Sequence, residues 1–118
     1  MRRILVVDDD PLVRELLAAV LGDGEFELGF AEDGASALKS VEERVPDLVV
    51  LDVMMPGMDG YEVCRTLRAA HPATRIVMLT ARHGEAEHAT AMAAGADAFL
   101  TKPFSPLALR EVMDQARR

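Results

Sequence analysis

Hydrophobic residues fall along the chain in five short runs, each separated from the next by a stretch with helical spacing. Ile4 to Val7, Leu48 to Leu51 and Ile76 to Leu79 are apolar without alternation and rich in β-branched residues. Strands of this kind are buried on both faces, as in a parallel sheet covered by helices. Phe26 to Phe30 alternates and Ala96 to Leu100 is mixed, so both read as edge strands. Leu12, Val13, Leu16, Leu17, Val20 and Leu21 make one apolar stripe at helical spacing, and Leu38, Val41 and Val45 make another. Asp10-Pro11 and Ser105-Pro106 each place a capping oxygen before a proline at the first helical position. Asp59 with Glu62 matches a capping box. The fourth helix, Glu85 to Ala94, is mainly alanine around Met92 and has little apolar mass to bury, so it is expected to be the least firmly anchored.

Five βα units in 118 residues predict one α/β domain over residues 1–118, a doubly wound five-stranded parallel sheet. With runs one, three and four central and right-handed crossovers, the strand order is 2-1-3-4-5, the flavodoxin-like (βα)5 arrangement. The composition, 50% hydrophobic and 28% charged, is that of an ordinary globular domain. The single cysteine, Cys64, rules out an internal disulfide and a multi-cysteine metal site, and with Leu67 three residues on it reads as a small buried hydrophobe. A net charge of -7 argues against direct nucleic-acid binding by this domain. No apolar run approaches the ~18 residues of a membrane helix, and the amino terminus runs into aspartates, unlike a signal peptide. A cytoplasmic location without membrane contact is the expectation.

In such a sheet, ligands bind beyond the carboxyl ends of the strands where the strand order reverses, here between strands one and three. Strand one ends in Asp8-Asp9-Asp10, strand three in Asp52, strand four in Thr80 and strand five in Lys102. Asp10, before Pro11, reads as the helix cap. The others bring carboxylates, a hydroxyl and an ammonium to one rim. Clustered carboxylates repel unless a cation or proton intervenes, and no cysteine or histidine accompanies them. An all-oxygen donor set favours Mg2+, with Mn2+ as an alternative, over zinc. Lys102, one of only two lysines, is then a counter-charge for a phosphate, and Thr80 a neutral donor to it. His71, His83 and His88 lack metal-ligand spacing and read as solvated; Met54, Met55 and Met58 read as gap-filling residues after Asp52.

The stretches Ile4-Leu5-Val6-Val7-Asp8-Asp9-Asp10, Leu51-Asp52-Val53-Met54-Met55-Pro56-Gly57-Met58-Asp59-Gly60, Met78-Leu79-Thr80-Ala81, Gly95-Ala96-Asp97 and Thr101-Lys102-Pro103-Phe104 occur in order at domain-compatible spacing. Together they resemble the response-regulator receiver domain of two-component signalling over the whole chain. In the stretches around Thr80 and Lys102 the chain is most similar to receivers of winged-helix transcription factors. The resemblance implies that Asp52 is the phosphoacceptor, taking a phosphoryl group from a sensor histidine kinase or phosphotransfer protein. It implies that Asp9, Asp52 and the backbone carbonyl of Met54 ligate Mg2+ directly, with Asp8 acting through a water. It further implies that Lys102 pairs with the phosphoryl oxygens, that Thr80 and then Phe99 move inward as a switch, and that Lys102-Pro103 is cis. The output would be a changed surface on helix four, strand five and helix five, read by an unknown partner or domain. Phe99 keeps the ring of the tyrosine often found in the family and loses its hydroxyl, while the resemblance implies that Met54 and Arg82 flank the phosphoryl group and tune its hydrolysis. The charged lattice through which related receivers dimerise falls here on His88, Ala98, Ala108 and Val112, which are mostly uncharged, so a monomer and a phosphorylation-dependent dimer both remain open.

Two other functions use similar residues. A haloacid-dehalogenase-like phosphatase also combines Asp, Thr, Lys and Mg2+, but needs an acid two residues after its nucleophile, where this chain has Met54. A flavodoxin would need a hydroxyl- and glycine-rich phosphate loop after strand one, where Asp8 to Asp10 would repel the phosphate. The chain is thus expected to be a regulatory phosphoacceptor rather than an enzyme acting on external substrates, with no effector domain within its 118 residues.

Overall fold

The computed structural model describes residues 2–22, 24, 26–55, 57, 59–81 and 84–116. Strands and helices alternate strictly: β1 (Arg2–Val7), α1 (Pro11–Leu21), β2 (Phe26–Ala31), α2 (Gly34–Glu43), β3 (Leu48–Asp52), α3 (Gly60–Ala70), β4 (Arg75–Thr80), α4 (Glu85–Ala93), β5 (Ala98–Thr101) and α5 (Pro106–Ala116). All pairings are parallel and the order is β2-β1-β3-β4-β5, as the sequence predicts.

The unbroken apolar runs follow from two separate cores. Leu5, Val7, Val49, Leu51, Ile76 and Met78 face one side, where Ala37 and Val41 of α2, Val63, Cys64 and Leu67 of α3, and Ala91 of α4 cover them. Their neighbours Ile4, Val6, Leu48, Val50, Val77 and Leu79 face the other, under Leu17, Val20 and Leu21 of α1 and Leu109 and Met113 of α5. Alternate side chains of a strand point to opposite faces, so covering both faces removes the polar half of the pattern.

The capping residues behave as their chemistry requires. Asp10 accepts from the Leu12 amide at 2.9 Å, Asp59 from Glu62 at 2.9 Å and Ser105 Oγ from Ala108 at 3.1 Å. Asp33 caps α2 in the same way, accepting from Ser36 at 2.7 Å, a signal available in Asp33-Gly34 that the helical pattern alone does not announce.

Several expectations are corrected. Leu12 is 73% exposed because, five residues and about 140° around the helix from Leu17, it lies off the face that Val13, Leu16, Leu17, Val20 and Leu21 turn to the core. Val45 is exposed because α2 ends at Glu43 and the helical phase does not continue to it. β2 does not alternate, since its first four residues are all half-buried, whereas β5 does. β5 starts at Ala98, later than the sequence pattern suggests, because Asp97 is engaged in a side-chain clamp. Arg68 donates to Asp97 Oδ2 at 2.7 Å, to the Gly95 carbonyl at 2.9 Å and to the Pro72 and Thr74 carbonyls at 2.8 and 2.9 Å. Gly95 lies at φ +109, and a Cβ there would come within 3.0 Å of the Arg68 side chain.

Candidate functional site at the carboxyl rim of the sheet

β1 and β3 are adjacent, with Val7 opposite Leu51, so the residues that follow them, Asp8 and Asp52, emerge side by side. Asp52 stands opposite Leu79, one residue before Thr80, and Thr80 stands opposite Thr101, one residue before Lys102. The register alone therefore gathers the four groups on one rim. The Lys102 amide donates to the Thr80 carbonyl at 2.7 Å, extending the ladder to the lysine, and the Lys102-Pro103 peptide is cis, as expected.

Asp8 is fully buried. Its Oδ1 accepts from the Asp10 amide at 3.0 Å and its Oδ2 from Lys102 Nζ at 2.8 Å. Asp52 is 4% exposed; its Oδ1 accepts from the Met54 amide at 3.2 Å, and its Oδ2 lies 3.5 Å from Lys102 Nζ. Asp9 is exposed, yet one oxygen from each of Asp8, Asp9 and Asp52 lies within 4.8 Å of the others. Asp10 turns away to cap α1. Thr80 is buried at the end of β4. Gly60 lies against the backbone of the Asp52 segment: its amide donates to the Val53 carbonyl at 2.9 Å, and a Cβ there would sit 2.3 Å from the Asp52 carbonyl oxygen.

The electrostatics follow from this crowding. Burial first, and then the charge of Asp8, raise the Asp52 pKa from 3.8 to about 6 against the opposing pull of Lys102 and the Met54 amide. Burial works against the charge on Lys102, but its hydrogen bond to Asp8 and the charges of Asp52 and Asp8 outweigh this and hold its pKa above the ordinary value. Asp8 and Asp52 share the Lys102 ammonium and Asp9 lies beside them, so the three carboxylates leave an excess of negative charge. The donor set is oxygen throughout and one carboxylate oxygen from each of Asp8, Asp9 and Asp52 converges, so the residues present fit a small hard divalent cation.

The family model described as "Response regulator receiver domain" matches residues 4–114. The chain belongs to this family. As a receiver it is 48% identical over 105 residues to the DNA-binding response regulator MtrA of Mycolicibacterium smegmatis, a match covering 89% of this chain and 46% of MtrA. It is 47% identical over 115 residues to response regulator MprA of Mycobacterium sp. (strain KMS), covering 98% of this chain and 49% of MprA. The receiver thus spans about half the length of the curated relatives it matches. In solved structures, the chemotaxis protein CheY4 of Vibrio cholerae superposes with a TM-score of 0.91 at 31% identity over 98% of both chains.

Receivers are regulatory phosphoacceptor domains that act as phosphorylation-dependent signalling switches, interact with histidine kinases and generally bind Mg2+ at an acidic site. Nothing supports the phosphatase alternative. Met54, at the position where that mechanism needs an acid, is 53% exposed and has no proton to donate. Its exposure also corrects the expectation that it fills a gap, whereas Met55 does pack against the core. Pro56, Met58, Arg82 and His83 lie outside the described residues. Cys64 is buried, and burial pushes its thiol up to about 11, which suits a core residue and not a nucleophile. No helix among the described residues is long and apolar enough to cross a membrane.

The sequence pattern misses two contacts of α4. Glu87 accepts from the Tyr61 hydroxyl of α3, and His88, though exposed, is not simply solvated. Its ring stacks on Phe99 with centroids 5.4 Å apart and planes 16° from parallel. No sequence signal marks either pair, because each joins residues from different elements.

Proposed function

We propose that this chain, as one receiver unit over residues 1–118, takes a phosphoryl group on Asp52 from the phosphohistidine of a sensor histidine kinase or phosphotransfer protein. A carboxylate oxygen of Asp52 attacks phosphorus, the phosphorus–nitrogen bond breaks, and the departing imidazole keeps the bonding pair, becoming neutral once protonated. Asp9, Asp52 and the Met54 carbonyl would hold Mg2+, or Mn2+ in its place, with Asp8 acting through a water. The cation neutralises charge on the transferring phosphoryl oxygens when bound. Lys102 already sits between Asp8 and Asp52 and pairs with the phosphoryl oxygens as they arrive. Thr80 turns its hydroxyl toward the new group, and Phe99 moves inward behind it.

The observation that carries this reading is the buried Asp52 carboxylate facing Asp8, Asp9 and a shared Lys102. Apolar ground borders the site, formed by the exposed Leu12 with Val13, Leu16, Pro103 and Phe104, and suits a docking phosphodonor protein. A separate cavity among Ile4, Phe26, Leu48 and Met113, with Asp47 and Arg75 beside it, opens at the amino ends of the strands and shares no residue with the site. The output is proposed to pass through α4, β5 and α5 to a partner or domain. By likeness to MtrA, that output is control of a DNA-binding regulator rather than DNA contact by this acidic domain.

Incubation with Mg2+ and a small phosphodonor should give one labile phosphoryl adduct by intact mass. Chelation of the metal or an Asp52→Asn substitution should abolish it. Labelling of the Asn variant at the wild-type level would refute the assignment.

A further inference from the structure

α4 is held to the fold by very little. Its sequence, Glu85-Ala86-Glu87-His88-Ala89-Thr90-Ala91-Met92-Ala93, buries only Ala91 within the helix, and Met92 is exposed. Its N-cap is Gly84, which offers no side-chain hydrogen bond, unlike the caps of α1, α2 and α3. Among the described residues, its first turns are tied down by a pair of adjacent side chains, Glu87 on Tyr61 and His88 on Phe99.

Phe99 is half-buried on β5. It packs against the core beneath α3 and α4 and stacks on the imidazole of His88. A phenylalanine has no hydroxyl with which to anchor an outward or an inward position. Its placement therefore rests on contact alone, and among the described residues the flat, nearly parallel imidazole of His88 is the aromatic ring stacked on it in the position seen here.

We infer that His88 is the positioning residue of the Phe99 switch: its stack holds the ring in the unphosphorylated placement and so sets how readily the phosphorylated state is reached. This rests on the reading of Asp52 as phosphoacceptor and Phe99 as switch. A contact made in only one of two states lowers the apparent affinity for whatever selects the other. An aromatic stack of this kind shifts such an equilibrium by about two- to twelve-fold.

The test titrates Mg2+-loaded protein with beryllium fluoride, a phosphoryl mimic, and follows ring-labelled phenylalanine by NMR, in which Phe99 is one of four. His88→Ala should move the Phe99 ring signals in the free protein and lower the half-saturating beryllium fluoride concentration about two- to twelve-fold. His88→Phe, which restores a flat ring, should return both to wild type. A merely structural role for His88 would change melting temperature and leave the half-saturation point alone. An unmoved half-point in His88→Ala, or failure of His88→Phe to restore it, overturns the inference while Asp52-dependent binding still supports the phosphoacceptor reading. Wild-type affinity in an Asp52→Asn variant overturns that reading and the inference with it.

Discussion

Asp52→Asn should make the metal-free protein more stable. In the native fold the carboxyl has a pKa of about 6, against 3.8 for an unperturbed aspartate, so the folded chain holds the acid form more tightly than the unfolded chain does. Stability therefore falls as pH rises through this window. Below about pH 4 both states are protonated and there is no penalty; above about pH 6 the full penalty applies. A shift of about two units, already net of the opposing pull of Lys102, corresponds to about 3 kcal/mol, and solvent at the rim brings the expected figure to about 1–3 kcal/mol. Asparagine removes the charge and keeps the shape. For a domain of this size 1 kcal/mol moves the melting temperature by about 4 °C, so chelator-treated Asp52→Asn should melt roughly 4–12 °C higher at pH 7.5. The advantage should vanish near pH 4. Saturating Mg2+ should also narrow it, because the wild type gains more from the cation. Paired melts at pH 4, 6 and 7.5, with and without Mg2+, measure all three trends. An asparagine variant no more stable than wild type at pH 7.5 in chelator would refute the argument that burial and Asp8 burden this carboxylate.

Three further substitutions probe the surrounding scaffold. Lys102→Met removes the ammonium 2.8 Å from the fully buried Asp8, and urea denaturation in chelator should show a loss of about 2–4 kcal/mol, largely recovered by adding Asp8→Asn. Gly60→Ala forces a Cβ to within 2.3 Å of the Asp52 carbonyl oxygen, so it should cost about 2 kcal/mol or more and slow labelling by a small phosphodonor. Arg68→Ala leaves the Gly95, Pro72 and Thr74 carbonyls without their guanidinium and should cost about 2–3 kcal/mol by denaturation, with faster amide exchange around Gly95.

Local pattern carried much of this protein's architecture. Short unbroken β-branched runs at Ile4, Leu48 and Ile76 fit strands covered on both sides, and that condition with crossover handedness orders the sheet. Because a parallel sheet delivers every strand end to the same rim, Asp8, Asp52, Thr80 and Lys102 could be gathered from the sequence before any distance was known. Caps at Asp10, Asp59 and Ser105 were legible for the same reason, since each acts within three residues of itself.

Tertiary structure decided what depends on residues far apart in the chain. An apolar helix residue can also sit at the margin of its stripe, and only packing decides which margin the sheet covers: Leu21 is buried while Leu12 stands in solvent. The Arg68 clamp, the Tyr61–Glu87 bond and the His88–Phe99 stack each join different elements, and only the packed fold brings those partners together. The titration of Asp52 belongs here too. An aspartate's type is written in the chain, but its pKa depends on how much water the surrounding strands exclude and on how close Asp8 and Lys102 are held.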